Sequence, residues 1–238
     1  MLEFRNPKIA VPIVLIAGLI WSFGPLVVRY MNDPHLIPWQ YIFGRGLTIF
    51  ILLNLYLFFE EGKNFYKNYF KIGISGLIGG SGLGIAMISF MFSITNTSAA
   101  ITLLCLAAMP FFTALLAFLF LKEKISLNVW ISIIIATIGI GIMAAGNTSD
   151  ASLIGFVFGM TSSIGFAVFS VSLRWRTETP KFTTTAFAGF FCFTFATIVI
   201  LSNDYVFFAT SYNSSLFSLH GTLVCLGLIL YSIGSKAI

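Results

Sequence analysis

Charge is what this chain has least of. Only 9% of its 238 residues are Asp, Glu, Lys or Arg, where soluble domains carry about 25%. A soluble domain of this length needs far more polar surface to cover itself. That excludes an ordinary cytosolic enzyme, a nucleic-acid module and a disordered chain. Cysteine is scarce as well. Cys105, Cys192 and Cys225 are scattered inside apolar runs, and three thiols with no C-x-x-C spacing form neither a metal motif nor a closed disulfide framework. They read as free thiols packed like small hydrophobes.

What the chain does have is long apolar stretches, with 58% of its residues hydrophobic. A helix crosses a bilayer core of roughly 30 Å with about 20 apolar residues. Eight runs qualify: about Ile9–Val28, Ile37–Phe59, Ile72–Ile94, Ala99–Leu121, Leu127–Gly146, Leu153–Leu173, Phe182–Ser202 and Phe217–Ser235. None alternates as a membrane β-strand does. The expected class is all-α, a polytopic membrane protein of eight helices, because only helices and closed barrels satisfy the backbone in lipid. The first run is too long for a signal peptide and lacks an A-x-A cleavage site, so it reads as a retained span.

The few charges fix an orientation. One set of alternate loops holds Arg5, Lys8, Lys63, Lys67, Lys71, Lys122, Lys124, Arg174, Arg176, Lys181 and Lys236, eleven of the 13 basic residues. The opposite loops hold Arg29 and the acids Asp33, Asp150 and Asp204. Basic loops stay inside. The expected location is therefore the cell (inner) membrane, with the N-terminus in the cytoplasm. The formal charge of +5 is a topology signal and implies no nucleic-acid partner.

An internal repeat is visible. Gly18-x-x-x-Ser22-x-Gly24 recurs as Gly159-x-x-x-Ser163-x-Gly165, an offset of 141 (18 to 159). Gly82 and Phe92-Ser93-Ile94 recur as Gly221 and Tyr231-Ser232-Ile233, an offset of 139 (82 to 221). A first copy of five spans, residues 9–146, forces the second, residues 152–238, to enter the membrane upside down. Inverted repeats are the architecture of many secondary transporters. Counterparts of the fourth and fifth spans are missing from the second copy. The expectation is a ten-span protein truncated after the third helix of its second repeat, or an eight-span variant that closes its cavity with a partner, such as a second copy.

With two five-helix units in this order, the sequence resembles the EamA-type branch of the drug/metabolite transporter superfamily. The residues carrying the resemblance are Leu19-Ile20-Trp21-Ser22-Phe23-Gly24, the Arg45 that follows Trp39–Gly44, and the stretch from Ala99-Ala100 through Pro110 to Lys122-Glu123. Ser22 and Ser132 stand where the family has glycines. The resemblance implies secondary carriage of small metabolites or drugs, such as amino acids or other organic solutes. It covers the first copy fully and the second for three spans.

Several residues are candidates for the substrate site. Arg45 is the one charge well inside a run, where an arginine costs about 2.5–3.5 kcal/mol on insertion scales. It either contacts an anion in a cavity or gate, or caps helix carbonyls and snorkels beside Tyr41. Trp21, with Ser22, is too deep for an interfacial tryptophan and either stacks on substrate or packs in the bundle. Ser89, Thr95, Asn96, Thr102, Ser163 and Tyr231 are further candidate lining residues. Pro25 and Pro110 are expected to kink their helices. Gly76, Gly80 and Gly84, with Gly155 and Gly159, provide smooth faces for close helix packing. Glu123 reads as a loop ion pair or the start of the next helix.

Two functions compete. The first is a secondary carrier working by alternating access between inverted repeats, with the lipid bilayer and a small-molecule solute as partners. The alternative is a lipid-handling or accessory membrane subunit, or an inactive transporter fragment. An enzyme would need a base or metal pair at membrane depth. No Asp or Glu lies in any run, and His35 and His220 fall at the expected membrane edges, so no enzyme, metal or cofactor is expected.

Overall fold

The computed structural model describes residues 7–146 and 152–234. Arg5, Asp150 and Lys236, used above for orientation, lie outside the described residues, as does the end of the second repeat. Among the described residues there is no strand. The helices are α1 (Pro7–Ser22), α2 (Gly24–Arg29), α3 (Pro38–Glu61), α4 (Gly73–Asn96), α5 (Ala99–Ala107), α6 (Met109–Leu116), α7 (Leu127–Gly146), α8 (Leu153–Trp175), α9 (Lys181–Ser202) and α10 (Ser211–Gly234). A 3₁₀ segment, Gly62–Lys71, follows α3, and a π-helical turn, Ala117–Leu121, follows α6.

Seven segments of the described residues are helical, long and apolar enough to cross a bilayer. The remaining run, Leu127–Gly146, is a 20-residue helix. The apolar runs become helices because each backbone N–H and C=O in lipid must be satisfied within its own segment. Many large apolar side chains stay exposed, Leu15, Leu19, Phe59, Ile135 and Leu201 among them, as lipid-facing helices require.

Proline sets the interruptions. The first run breaks at Phe23, and α2 restarts at Gly24 with Pro25 in its first turn. The fourth run breaks at Ala108, with Pro110 in the first turn of α6. A proline lacks the N–H that would continue the preceding helix but suits the first turn of a new one. The N-terminus of α5 is capped by Ser98, whose hydroxyl accepts from the Ile101 N–H at 3.3 Å.

The chain packs as two compact units, and each takes helices from both expected repeats. One unit holds the chain up to Gly73 and from Pro180 onward; the other is Ile74–Thr179. In the first, α3 and α9 press backbone to backbone. A Cβ added at Gly46 would lie 2.9 Å from the Phe193 nitrogen, and one at Gly189 would lie 2.9 Å from the Gly46 oxygen. Aromatic rings flank this seam, with Phe50 and Phe193 centroids 5.5 Å apart and Phe190 and Phe193 5.3 Å apart. Helix α10 packs on both α3 and α1.

In the second unit, α8 is the centre. Small residues let α4 approach it: a Cβ at Gly82 would sit 2.9 Å from Val168 Cγ1 and 3.0 Å from the Gly165 oxygen. Gly76, Gly80 and Gly84 are buried on α4. Helices α5 and α6 pack on another side of α8. There an added Cβ at Gly155 would meet Thr97, and one at Gly159 would meet Cys105 at 2.8 Å. The Ser75 and Thr179 hydroxyls, 2.5 Å apart, tie the start of α4 to the chain beyond α8. All three cysteines are buried.

Candidate functional site

The residues proposed for one substrate site divide between the two units. Trp21, Ser22, Arg45 and Tyr231 lie in the first; Ser89, Thr95, Asn96, Thr102 and Ser163 lie in the second.

In the second unit the polar side chains serve helix packing. Ser163 is fully buried and donates to the Cys105 carbonyl at 2.5 Å. The Thr102 and Ser93 hydroxyls lie 3.0 Å apart, and Ser93 donates to the Gly155 carbonyl at 2.8 Å. Thr95 and Asn96 each donate to carbonyls one turn back on α4. Ser89 is buried. Glu123 pairs with Arg174, both partly exposed, an arrangement that contributes about 0–1 kcal/mol.

In the first unit, Trp21 is half-buried against α10. Its indole N–H donates to the Val224 carbonyl at 3.4 Å, and its ring lies 5.7 Å from that of Tyr231. Ser22 is exposed and donates to the Leu19 carbonyl of its own helix at 2.6 Å.

Arg45 is different. It is 3% exposed, far from snorkelling outward. Its guanidinium donates to the Tyr41 phenol oxygen at 2.9 Å and stands 4.8 Å from the centroid of that ring. The two residues are one helical turn apart on α3, so the helix itself brings them together. The Tyr41 oxygen is also 2.6 Å from Nδ1 of His220 on α10. Tyr41 and His220 are 0% and 3% exposed.

His220 corrects a sequence expectation. It was expected at a membrane edge because the apolar run begins at Phe217. The helix begins earlier, at Ser211. The polar first turn is held by Asn213, which is buried, accepts from the Asn32 N–H at 3.0 Å and donates to the Asn32 carbonyl at 3.1 Å. His220 is therefore nine residues into α10, inside the packed unit. Small residues make its place. A Cβ on Gly24 would lie 2.6 Å from His220 Nε2, and one on Gly221 would lie 2.7 Å from Thr48 Cβ. Phe217 meets the Tyr41 ring edge-on at 5.6 Å.

The arrangement is a cation, a phenol and an imidazole joined by two hydrogen bonds at membrane depth. Among the described residues no group of three or more His, Cys, Asp and Glu is placed to hold a metal.

Comparison with known proteins agrees with this membrane architecture. Residues 8–145 match the EamA-like transporter family. Two curated relatives, each named an uncharacterized transporter, come from two strains of Helicobacter pylori. One is 27% identical over 167 residues and the other 26% over 167, and in both the match covers 69% of this chain and 54% of the relative. The chain thus spans about half the length of the curated relatives it matches.

Proposed function

The chain belongs to the EamA-like transporter family, a multi-pass membrane family, and from that premise we propose that it is a secondary carrier of small metabolites or drugs. In this reading eight helices cross the inner membrane, with the N-terminus in the cytoplasm, and the two inverted repeats exchange access to a central site. The observation that carries the proposal is the buried Arg45–Tyr41–His220 cluster. Three polar side chains at membrane depth are costly to insert and are retained where they line a solute path.

Two matching sets of contacts support the repeat. Ser162 of α8 donates to the Ala86 carbonyl of α4 at 2.8 Å. At the repeat offset its counterpart, Trp21 of α1, donates to the Val224 carbonyl of α10, one residue from the counterpart of Ala86. Gly165 approaches Gly82, and its counterpart Gly24 approaches His220, beside the counterpart of Gly82. Homodimerisation is the partner proposal. It is supported by the exposed apolar face of α1, which carries Leu15, Ile16 and Leu19.

Uptake into proteoliposomes tests the carrier reading. A panel of radiolabelled amino acids, organic acids and drugs is expected to include a solute whose entry requires the protein. Arg45→Ala is expected to reduce that entry at least tenfold. No protein-dependent entry across the panel would sink the reading.

One observation favours the lipid-handling alternative. An apolar pocket in the second unit is lined by Ile78, Leu116, Phe120, Val168, Val171 and Trp175, with Ser172 as a polar member. Protein-dependent transfer of a fluorescent phospholipid between leaflets would favour that alternative.

A further inference from the structure

We propose that the apolar cleft of the second unit binds one anionic phospholipid, with an acyl chain in the cleft and the headgroup at Arg176. The site goes beyond the carrier reading. It requires only that the chain cross a bilayer, and its lipid is held in place rather than moved between leaflets.

The cleft has a volume of about 440 Å³, within the roughly 300–1,000 Å³ of small-ligand sites. One wall is α8, where Val168, Val171 and Trp175 line it. These residues are three and then four apart, so they form one stripe along the helix. At 1.5 Å per residue the stripe is about 10 Å long. Ile78 of α4 forms a second wall, and Phe120 and Leu121 of the π-helical turn form a third. No charged side chain lines the cleft. Ile78, Phe120 and Trp175 are exposed, so it is open. In a bilayer such an opening meets hydrocarbon rather than water, and a narrow stripe between three walls suits a single extended acyl chain.

One end of the cleft is basic. Trp175 is the last residue of α8, and a tryptophan at a helix end marks the headgroup level. Arg174 and Arg176 flank it, Lys122 directly follows Leu121, and Lys124 comes next but one; all four are exposed. The acids nearby in sequence are Glu123 and Glu178. Glu123 pairs with Arg174, which leaves Lys122, Lys124 and Arg176 against Glu178. The Arg176 guanidinium stands 5.5 Å from the centroid of the Trp175 ring, so a cation sits over a ring that lines the cleft. Arginine recognises phosphate through paired donors, and basic pockets between membrane helices bind anionic headgroups.

The backbone at this mouth is unusual as well. The π-helical turn ends at Lys122, whose φ of 56° lies in the left-handed region, a conformation that favours glycine. Single π-helical turns are frequent at functional sites. Here the turn carries two lining residues and delivers a lysine at the bend. The charge also selects the occupant. A second copy would bring its own basic loops against these, whereas a lipid phosphate complements them.

Two measurements test the site. The chain has four tryptophans, and replacing Trp21, Trp39 and Trp130 with Phe leaves Trp175 as the one fluorophore. In phosphatidylcholine vesicles, phosphatidylglycerol with brominated acyl chains is expected to quench Trp175 at a mole fraction about fivefold lower than brominated phosphatidylcholine does, the effect of one basic side chain at a charged surface. Arg176→Gln is expected to remove most of that preference. Equal quenching by the two lipids, or a preference unchanged in Arg176→Gln, overturns the site. Second, native mass spectrometry of the wild-type chain from mixed micelles of the two lipids is expected to show one retained phosphatidylglycerol. Ile78→Trp, which fills the cleft from an exposed position, is expected to lose it and to keep the wild-type helical circular dichroism. No retained lipid, equal retention of both lipids, or retention unchanged by Ile78→Trp overturns the proposal. A lipid-free wild-type dimer that Ile78→Trp splits would put a second copy in the cleft, and overturns it too. Neither readout involves uptake, so failure of the carrier reading leaves the lipid site to be decided by these results alone.

Discussion

Gly18 and Gly159, which the sequence offset of 141 (18 to 159) pairs, meet opposite surroundings. A Cβ at Gly159 would stand 2.8 Å from both Cβ and Sγ of Cys105, whereas one at Gly18 meets nothing within 4 Å among the described residues. The α8 site is filled by α5, and the α1 site is open.

Alanine separates the two positions. Gly18→Ala is expected to be neutral or to stabilise by up to about 1 kcal/mol, since Gly costs about that much in a helix. Gly159→Ala is expected to destabilise by about 1–3 kcal/mol through overpacking. Unfolding in mixed micelles, followed by circular dichroism, measures both. Equal effects would mean that the open face of α1 is covered.

The α3–α9 seam gives a second test. Gly46 and Gly189 leave no room for side chains, so Gly189→Val is expected to lower the thermal midpoint by several degrees and to reduce membrane yield. The size of the effect follows from overpacking costs of about 1–3 kcal/mol. An unchanged midpoint would show that the seam can open without loss.

Thr183 is fully buried, and its hydroxyl has no hydrogen-bond partner among the described residues. Thr183→Val removes the unsatisfied oxygen at nearly constant volume. It is expected to stabilise by about 1 kcal/mol, within the usual cost of an unpaired buried group. A loss of stability in the same micelle assay would mean that the hydroxyl has a partner.

Gly24 faces His220 Nε2 closely enough that even a methyl must displace the ring. Gly24→Ala is expected to break the Tyr41–His220 hydrogen bond and reduce uptake at least tenfold without preventing membrane insertion. Uptake equal to wild type would show that the ring relocates freely.

Much of this architecture was legible in the sequence. Hydropathy located the helices because a bilayer forces apolar runs into helices, and Leu127–Gly146 coincides with α7 to the residue. Pro25 and Pro110 marked the interruptions because proline acts on its own local backbone. Arg45 stood out as a lone charge. What the sequence hid were pairings at long range. The indole of Trp21 finds its acceptor 203 residues away, and Tyr41 meets His220 across 179 residues. His220 itself was misplaced for a local reason. Hydropathy does not see the polar turn from Ser211 to Ser215, which is helical because Asn213 anchors it to Asn32. The division into units was hidden too, since interleaved packing leaves no mark in a linear pattern.

The burial of every native thiol has a practical consequence. Cys105, Cys192 and Cys225 are at most 2% exposed, so water-borne maleimides have no ready native target in the folded protein. A single cysteine introduced into Lys63–Lys71, or beside Asp204, would report alone which face of the membrane it occupies. The sidedness of each loop can thus be mapped one position at a time, with no need to strip the wild-type chain of its own sulfur.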